Sequence, residues 1–106
     1  MKVKLMSVVP SYSTTHKYIA TFQIKYGNDT VERHIRFGAK PYGDYIQYYK
    51  QDKELAEKKK NAYIARHQVR EDWNAPMKAG TLSRYILWNK PTLRESISDF
   101  KKQFHL

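Results

Sequence analysis

A chain of 106 residues with 41% apolar and 14% aromatic side chains holds material for one modest core and not two, so a single domain over residues 1–106 is expected and wholesale disorder is excluded. The absence of cysteine excludes disulfides and thiolate metal sites, and no apolar run approaches the ~18 residues of a spanning helix, so no membrane insertion is expected. Twenty Lys and Arg against ten Asp and Glu, a net charge of +10, point to polyanionic partners: nucleic acid first, then acidic protein, then a membrane surface.

In chain order, Lys2 to Val9 is rich in valine and leucine and is closed by Pro10, which cannot continue a ladder; it reads as a strand. Ser11 to His16 is polar and reads as a loop. From Lys17 to Tyr26 the residues alternate, with Tyr18, Ala20, Phe22, Ile24 and Tyr26 on one face and Lys17, Thr21, Gln23 and Lys25 on the other, Ile19 being the misfit. Gly27-Asn28-Asp29 supplies a turn, and Thr30 to Phe37 alternates again, Val31, Ile35 and Phe37 against Glu32, His34 and Arg36. The expectation is a three-stranded antiparallel sheet with one apolar and one basic face.

Two glycines and a proline between Gly38 and Gly43 turn the chain out of the sheet, and Asp44 to Lys50 is open between strand and helix. Asp52 caps a long helix from Lys53 to about Val69, whose apolar stripe is read as Leu55, Ala62, Ala65 and Val69, with Glu57, Lys58, Lys59 and Lys60 on the solvated side. Asn74 to Gly80 reads as a loop. Thr81 caps a short helix through Trp88 with Leu82, Tyr85 and Ile86 inward, and Asn89-Lys90-Pro91 stops it. Thr92 and Glu95 form a capping box for a last amphipathic helix bearing Leu93, Ser96, Ile97, Phe100 and Phe104. The fold class is therefore α+β: an N-terminal three-stranded antiparallel sheet packed with two to three helices from the C-terminal two-thirds.

Chemistry is hard to find in this pattern. No nucleophile is paired with a base, no glycine-rich phosphate loop is present, and the histidines show no ligand spacing, so neither catalytic residues, metal ligands nor a cofactor are expected. A nuclease centre of His67, Glu71 and Asp72 is the sole catalytic arrangement that can be drawn. Binding residues are easier to nominate. Lys50, Lys53, Lys58, Lys59, Lys60, Arg66 and Arg70 load one helical stretch with charge and suit a phosphate backbone; the alternative is a solvated face with Glu54–Lys58 as an i,i+4 pair. Tyr63, Arg66, His67 and Arg70 share a helix face, either as an anion patch or with Tyr63 in the core and His67 paired to Glu71. Trp73 and Trp88 flank a proline loop and serve either as core or as base-stacking rings. Tyr42, Tyr45, Tyr48 and Tyr49 crowd one segment, a pattern suited to self-association as a homodimer or to an acidic partner protein.

The motifs Lys40-Pro41-Tyr42-Gly43-Asp44-Tyr45, Tyr63-Ile64-Ala65-Arg66-His67, Arg70-Glu71-x-Trp73, Ala79-Gly80, Ser83-Arg84 and Leu87-Trp88-Asn89-Lys90-Pro91-Thr92-Leu93 occur in an order that resembles a family of small basic virion proteins of large nucleocytoplasmic DNA viruses, the Marseillevirus and Noumeavirus relatives. The similarity spans roughly Ile35 to Phe100. It implies presence in the virion, with host cytoplasm or nucleus as the setting during infection, and carries over no catalytic residues. In that setting the basic charge makes viral DNA or another polyanion the expected partner, and the alternative is a structural capsid or internal scaffold protein that contacts acidic capsid or virion proteins or its own copy. The chain departs from that family by extra residues between Tyr45 and Tyr63 and by Thr81-Leu82 and Tyr85 where aromatic residues are expected.

Overall fold

Alternating apolar residues form three strands, β1 (Lys2–Pro10), β2 (His16–Tyr26) and β3 (Asp29–Ala39), paired antiparallel in the order β1-β2-β3. The computed structural model describes residues 1–106. Tyr26 pairs with Asp29, so the hairpin loop is just Gly27-Asn28, and Gly27 at φ +56° takes the backbone conformation that a tight turn of this kind demands. Between the pairs Leu5↔Phe22 and Ser7↔Thr21, Met6 has no partner. This bulge shifts the face parity of β1, so Val3, Leu5 and then Val8 all point toward the helices.

One face of the sheet is covered and the other is open. Leu5, Ala20, Phe22, Ile24 and Phe37 are buried on the covered face, whereas Lys2, Lys4, Lys25, Thr30, Glu32, His34 and Arg36 are exposed on the opposite one. Ile19, the misfit in the alternation, lies half-buried along the middle of that open face beside Thr21 and Gln23.

Four helices follow. Asp44 accepts from the Gln47 N–H and starts α1 (Tyr45–Gln51), which resolves the ambiguous Asp44 to Lys50 segment as helix. Asp52 ends α1 by donating its N–H to Tyr48 O and starts α2 (Lys53–His67) by accepting from Glu54 and Leu55. The third helix, α3 (Ala79–Leu82), runs directly into a π-helical turn, Ser83–Leu87, in which the Trp88 N–H reaches back to Ser83 O. Thr92 caps α4 (Leu93–Gln103) as expected by accepting from the Glu95 N–H at 3.2 Å, and its hydroxyl donates to Glu95 Oε1 at 2.9 Å, a side-chain bond in place of the one a capping box makes to the Thr92 N–H. A single hydrophobic cluster joins the sheet to this layer through Phe22, Phe37, Leu82, Ile86, Leu87, Trp88 and Phe100. No helix is long and apolar enough to cross a membrane.

Two expectations for the helices need correction. The inward row of α2 is Ala56, Lys60, Tyr63 and His67, at spacings of four, three and four, with Ala56 and Tyr63 buried, Lys60 and His67 partly covered and Ile64 packed on the core beside them; Leu55 is only partly covered, Ala62 and Ala65 are exposed, and Val69 is 76% exposed beyond the helix end. The row that packs is aromatic and long-stemmed, so an aliphatic stripe was the wrong guide. Thr81 does not cap a helix: α3 begins two residues earlier after Lys78, and Thr81 is buried inside it, its hydroxyl donating to Asp72 O at 3.4 Å.

Candidate nucleic-acid interface and the adjoining cleft

The proposed basic stretch does not form one row. Successive helical residues turn by ~100°, so Lys58, Lys59 and Lys60 fan apart. Lys58 is exposed, Lys59 sits 5.5 Å from the Tyr48 ring on one flank, and Lys60 lies on the other, 4.9 Å from the Tyr45 ring, with its Nζ donating to Asn89 O at 3.0 Å. Lys60, read as solvated, is thus half-buried, and burial lowers its pKa, with Arg84 and Lys90 pushing the same way and Glu57 partly offsetting them. Lys53 stands over Tyr49 at 5.5 Å, Lys50 is exposed in the last turn of α1, and Arg66 and Arg70 are exposed at and after the end of α2. Glu54 and Lys58 form no ion pair.

The tyrosines turn inward. Tyr45 is 4% exposed and donates its hydroxyl to Glu57 at 2.6 Å; burial, then that hydrogen bond, push its pKa up to about 12. Tyr48 and Tyr49 are half-buried against the core, and Tyr42 alone, 72% exposed, faces solvent. Of the four tyrosines expected at one contact surface, Tyr45 is therefore withdrawn into the core, and Tyr42 is the one largely exposed.

The ring of Tyr63 lies parallel to that of Trp88, centroids 4.5 Å apart, and His67 stacks beside it at 4.2 Å. Tyr63 and Trp88 are both core residues, and His67 Nδ1 meets Glu71 Oε2 at 3.0 Å, so the pairing alternative holds for that histidine. Burial, with the Glu71 charge behind it, raises the Tyr63 pKa to about 12. Asp72, the third member of the nuclease that can be drawn, instead accepts from the Asn74 N–H at 3.0 Å and caps its own turn. Trp73 packs edge-on to Tyr85, with the Arg84 guanidinium 5.5 Å and 4.8 Å from the two rings. Arg84 donates to Trp88 O at 2.7 Å, its Nε and the Trp73 Nε1 have no partner, and burial lowers its pKa.

Most of the motifs picked out in the sequence converge on a cleft of about 750 Å³ between the sheet end, α1, α2 and α3. Its walls include Lys17, Tyr42, Asp44, Tyr48, Lys59, Tyr63, Arg66, His67, Glu71 and Trp88, over an apolar floor of Phe37 and Leu87. Both carboxylates are engaged: Asp44 is buried, bonded to Lys17 Nζ at 2.8 Å and to the start of α1, and Glu71 is bonded to His67. Lys59 and Arg66, seven residues apart on one flank of α2, are not ion-paired. The close approach of Tyr48 is possible because residue 43 is glycine; a Cβ there would stand 2.7 Å from the Tyr48 ring.

Sequence reasoning missed two groups. Lys17 read as an ordinary outward strand residue, and its bond to Asp44 joins positions 27 apart that no local pattern links. The open sheet face was described as basic, yet Lys2, Lys4, Lys25 and Arg36 were not nominated as a contact surface, although their period-two spacing was in view. No family model, curated protein or solved structure matches the chain.

Proposed function

We propose that the protein is a non-catalytic, sequence-nonspecific binder of nucleic-acid backbone, packaged with the genome in the particle of a large DNA virus. The viral setting rests on the motif resemblance; the binding rests on the charges. Of the twenty Lys and Arg side chains, Lys17 is the only one within ion-pair distance of a carboxylate. The rest have no carboxylate partner within the molecule, and that single observation carries the reading. Exposed cations on two surfaces serve it: Lys58, Lys59, Arg66 and Arg70 along and after α2, and Lys2, Lys4, Lys25 and Arg36 on the open sheet face, where Glu32 is the one acid. Exposed lysines and arginines of this kind suit contact with phosphates rather than bases.

Anisotropy titration of labelled random duplex tests this. If about six phosphates are neutralised, affinity falls by about three decades as salt rises from about 50 to about 200 mM. The triple change Lys2→Glu, Lys4→Glu, Lys25→Glu flattens that salt slope. Binding that ignores both salt and charge reversal would remove the proposal.

A further inference from the structure

We infer that the cleft between the sheet end and the helical layer holds a nucleotide unit, its phosphate on Arg66 and Lys59 and its base against Tyr42. The inference builds on the nucleic-acid reading but has its own supports. A volume of about 750 Å³ falls within the range of small-ligand sites, which is large for a chain of this length. The charge left free inside it is positive. Asp44 is committed to Lys17 and the start of α1, and Glu71 to His67, while Arg66 makes no hydrogen bond or ion pair and Lys59 touches only the Tyr48 ring. An anion is therefore the ligand that these walls favour, and Arg66 offers a planar donor fork suited to phosphate.

The rest of the ligand meets aromatic side chains. Phe37, Leu87 and Trp88 lie buried beneath the cleft, and every phenyl, phenol or indole ring there but one already has an aromatic or cationic neighbour: Phe37 with Tyr18, Tyr48 with Trp88 and Lys59, Tyr63 with Trp88 and His67. Tyr42 has none, and it stands exposed among the lining residues. An unpartnered ring sharing the cleft with two cations that no carboxylate neutralises matches a base joined to a phosphate, since base stacking on tyrosine needs no sequence-specific contact. The same chemistry is offered by a free nucleotide and by an exposed nucleotide of a single strand.

Titration of the full chain with AMP, followed by amide and indole resonances, tests the assignment. AMP is expected to shift Gly38, Gly43 and the Trp88 indole, while adenosine and inorganic phosphate each bind at least about tenfold more weakly, because each supplies one half of the recognition. Arg66→Glu with Lys59→Glu abolishes the shifts, and Tyr42→Ala weakens AMP without weakening phosphate; all three side chains are solvent-accessible, and an unchanged circular dichroism spectrum confirms folding. Displacement of AMP by short single-stranded oligodeoxythymidine marks a strand as the source, and its failure to displace marks a free nucleotide. Unmoved cleft resonances, or phosphate alone binding as tightly as AMP, overturn the inference. The Lys2/Lys4/Lys25→Glu protein keeps AMP binding while losing duplex, so failure of the cleft and failure of the backbone reading are told apart.

Discussion

The sheet and the helical layer carry comparable charge but hold it differently. On the sheet, alternation puts Lys2, Lys4, Lys25 and Arg36 on one face and Leu5, Phe22, Ile24 and Phe37 on the other, so charge and core never compete. In the helical layer, Lys60 and Arg84 lie among Tyr45, Trp73 and Tyr85 and donate to the consecutive carbonyls of Asn89 and Trp88, at the C-terminal end of the π-helical turn. Those carbonyls lack intrahelical partners, and cations suit the negative end of a helix. Charge on the open sheet face is free to bind; the charge of Lys60 and Arg84 is part of the packing.

The largest effect should come where the two regions touch. Gly38 has φ +79°, and a Cβ there would stand 2.7 Å from Cδ1 of the buried Leu87 side chain. Gly38→Ala therefore meets both backbone strain and overpacking, and a loss of about 3 kcal/mol is expected in urea unfolding. Gly27→Ala has the same sign of φ with open space around it, and should lose only about 1 kcal/mol. Equal losses would mean that the sheet and the helices are not tightly joined at Leu87.

Arg84 tests whether buried charge in the helical layer is needed as charge. Arg84→Ala removes the bond to Trp88 O and the contact with two rings, for an expected loss of about 2–3 kcal/mol. Arg84→Met restores the apolar stem and should recover at least about half of that, because the guanidinium is desolvated and its Nε already lacks a partner. If Met is no better than Ala, the charge itself matters there.

Much of this was readable from the chain, for reasons that differ by region. Strand alternation survives because a period of two is short and each strand faces one core; the caps Asp52 and Thr92 were readable because they act within three residues. The inward row of α2 was not, because Lys60, Tyr63 and His67 bury their stems and rings without registering as hydrophobic. The π-helical turn widens the helix by one residue and leaves no mark in composition, yet it permits Ile86, Leu87 and Trp88 to be buried in succession. The cleft was invisible for a simpler reason: its walls come from short segments scattered between His16 and Trp88.

A paired substitution sharpens the contrast at smaller scale. Lys60→Ala uncovers the Tyr45 ring and leaves Asn89 O without its donor, for an expected loss of about 1–2 kcal/mol. Lys4→Ala, on the open face, should stay within about 0.5 kcal/mol while lowering duplex affinity. The reverse order would place the packing role on the sheet and the free charge on the helix.

Alkaline titration gives the finest test. The tyrosines with raised pKa values are Tyr45 and Tyr63 in the helical layer and Tyr18, which burial raises first and Asp44, the cap of α1, raises further. Folding holds the Tyr45 and Tyr63 phenols protonated to about 12, whereas an unfolded tyrosine ionises near 10, so the unfolded state binds fewer protons in between. Stability is then unaffected below pH 10 and lost as pH rises toward 12, by an amount of order 1 kcal/mol for each tyrosine after solvent screening. Lys60 opposes this slightly, since its lowered pKa makes deprotonation favour the folded state. Tyr45→Phe should cost about 1 kcal/mol at neutral pH through the lost bond to Glu57, and reduce the alkaline slope by about half. An unchanged slope in that protein would mean that Tyr45 reaches water freely, and that the helical layer is looser around α1 than its packing against Glu57 and Lys60 implies.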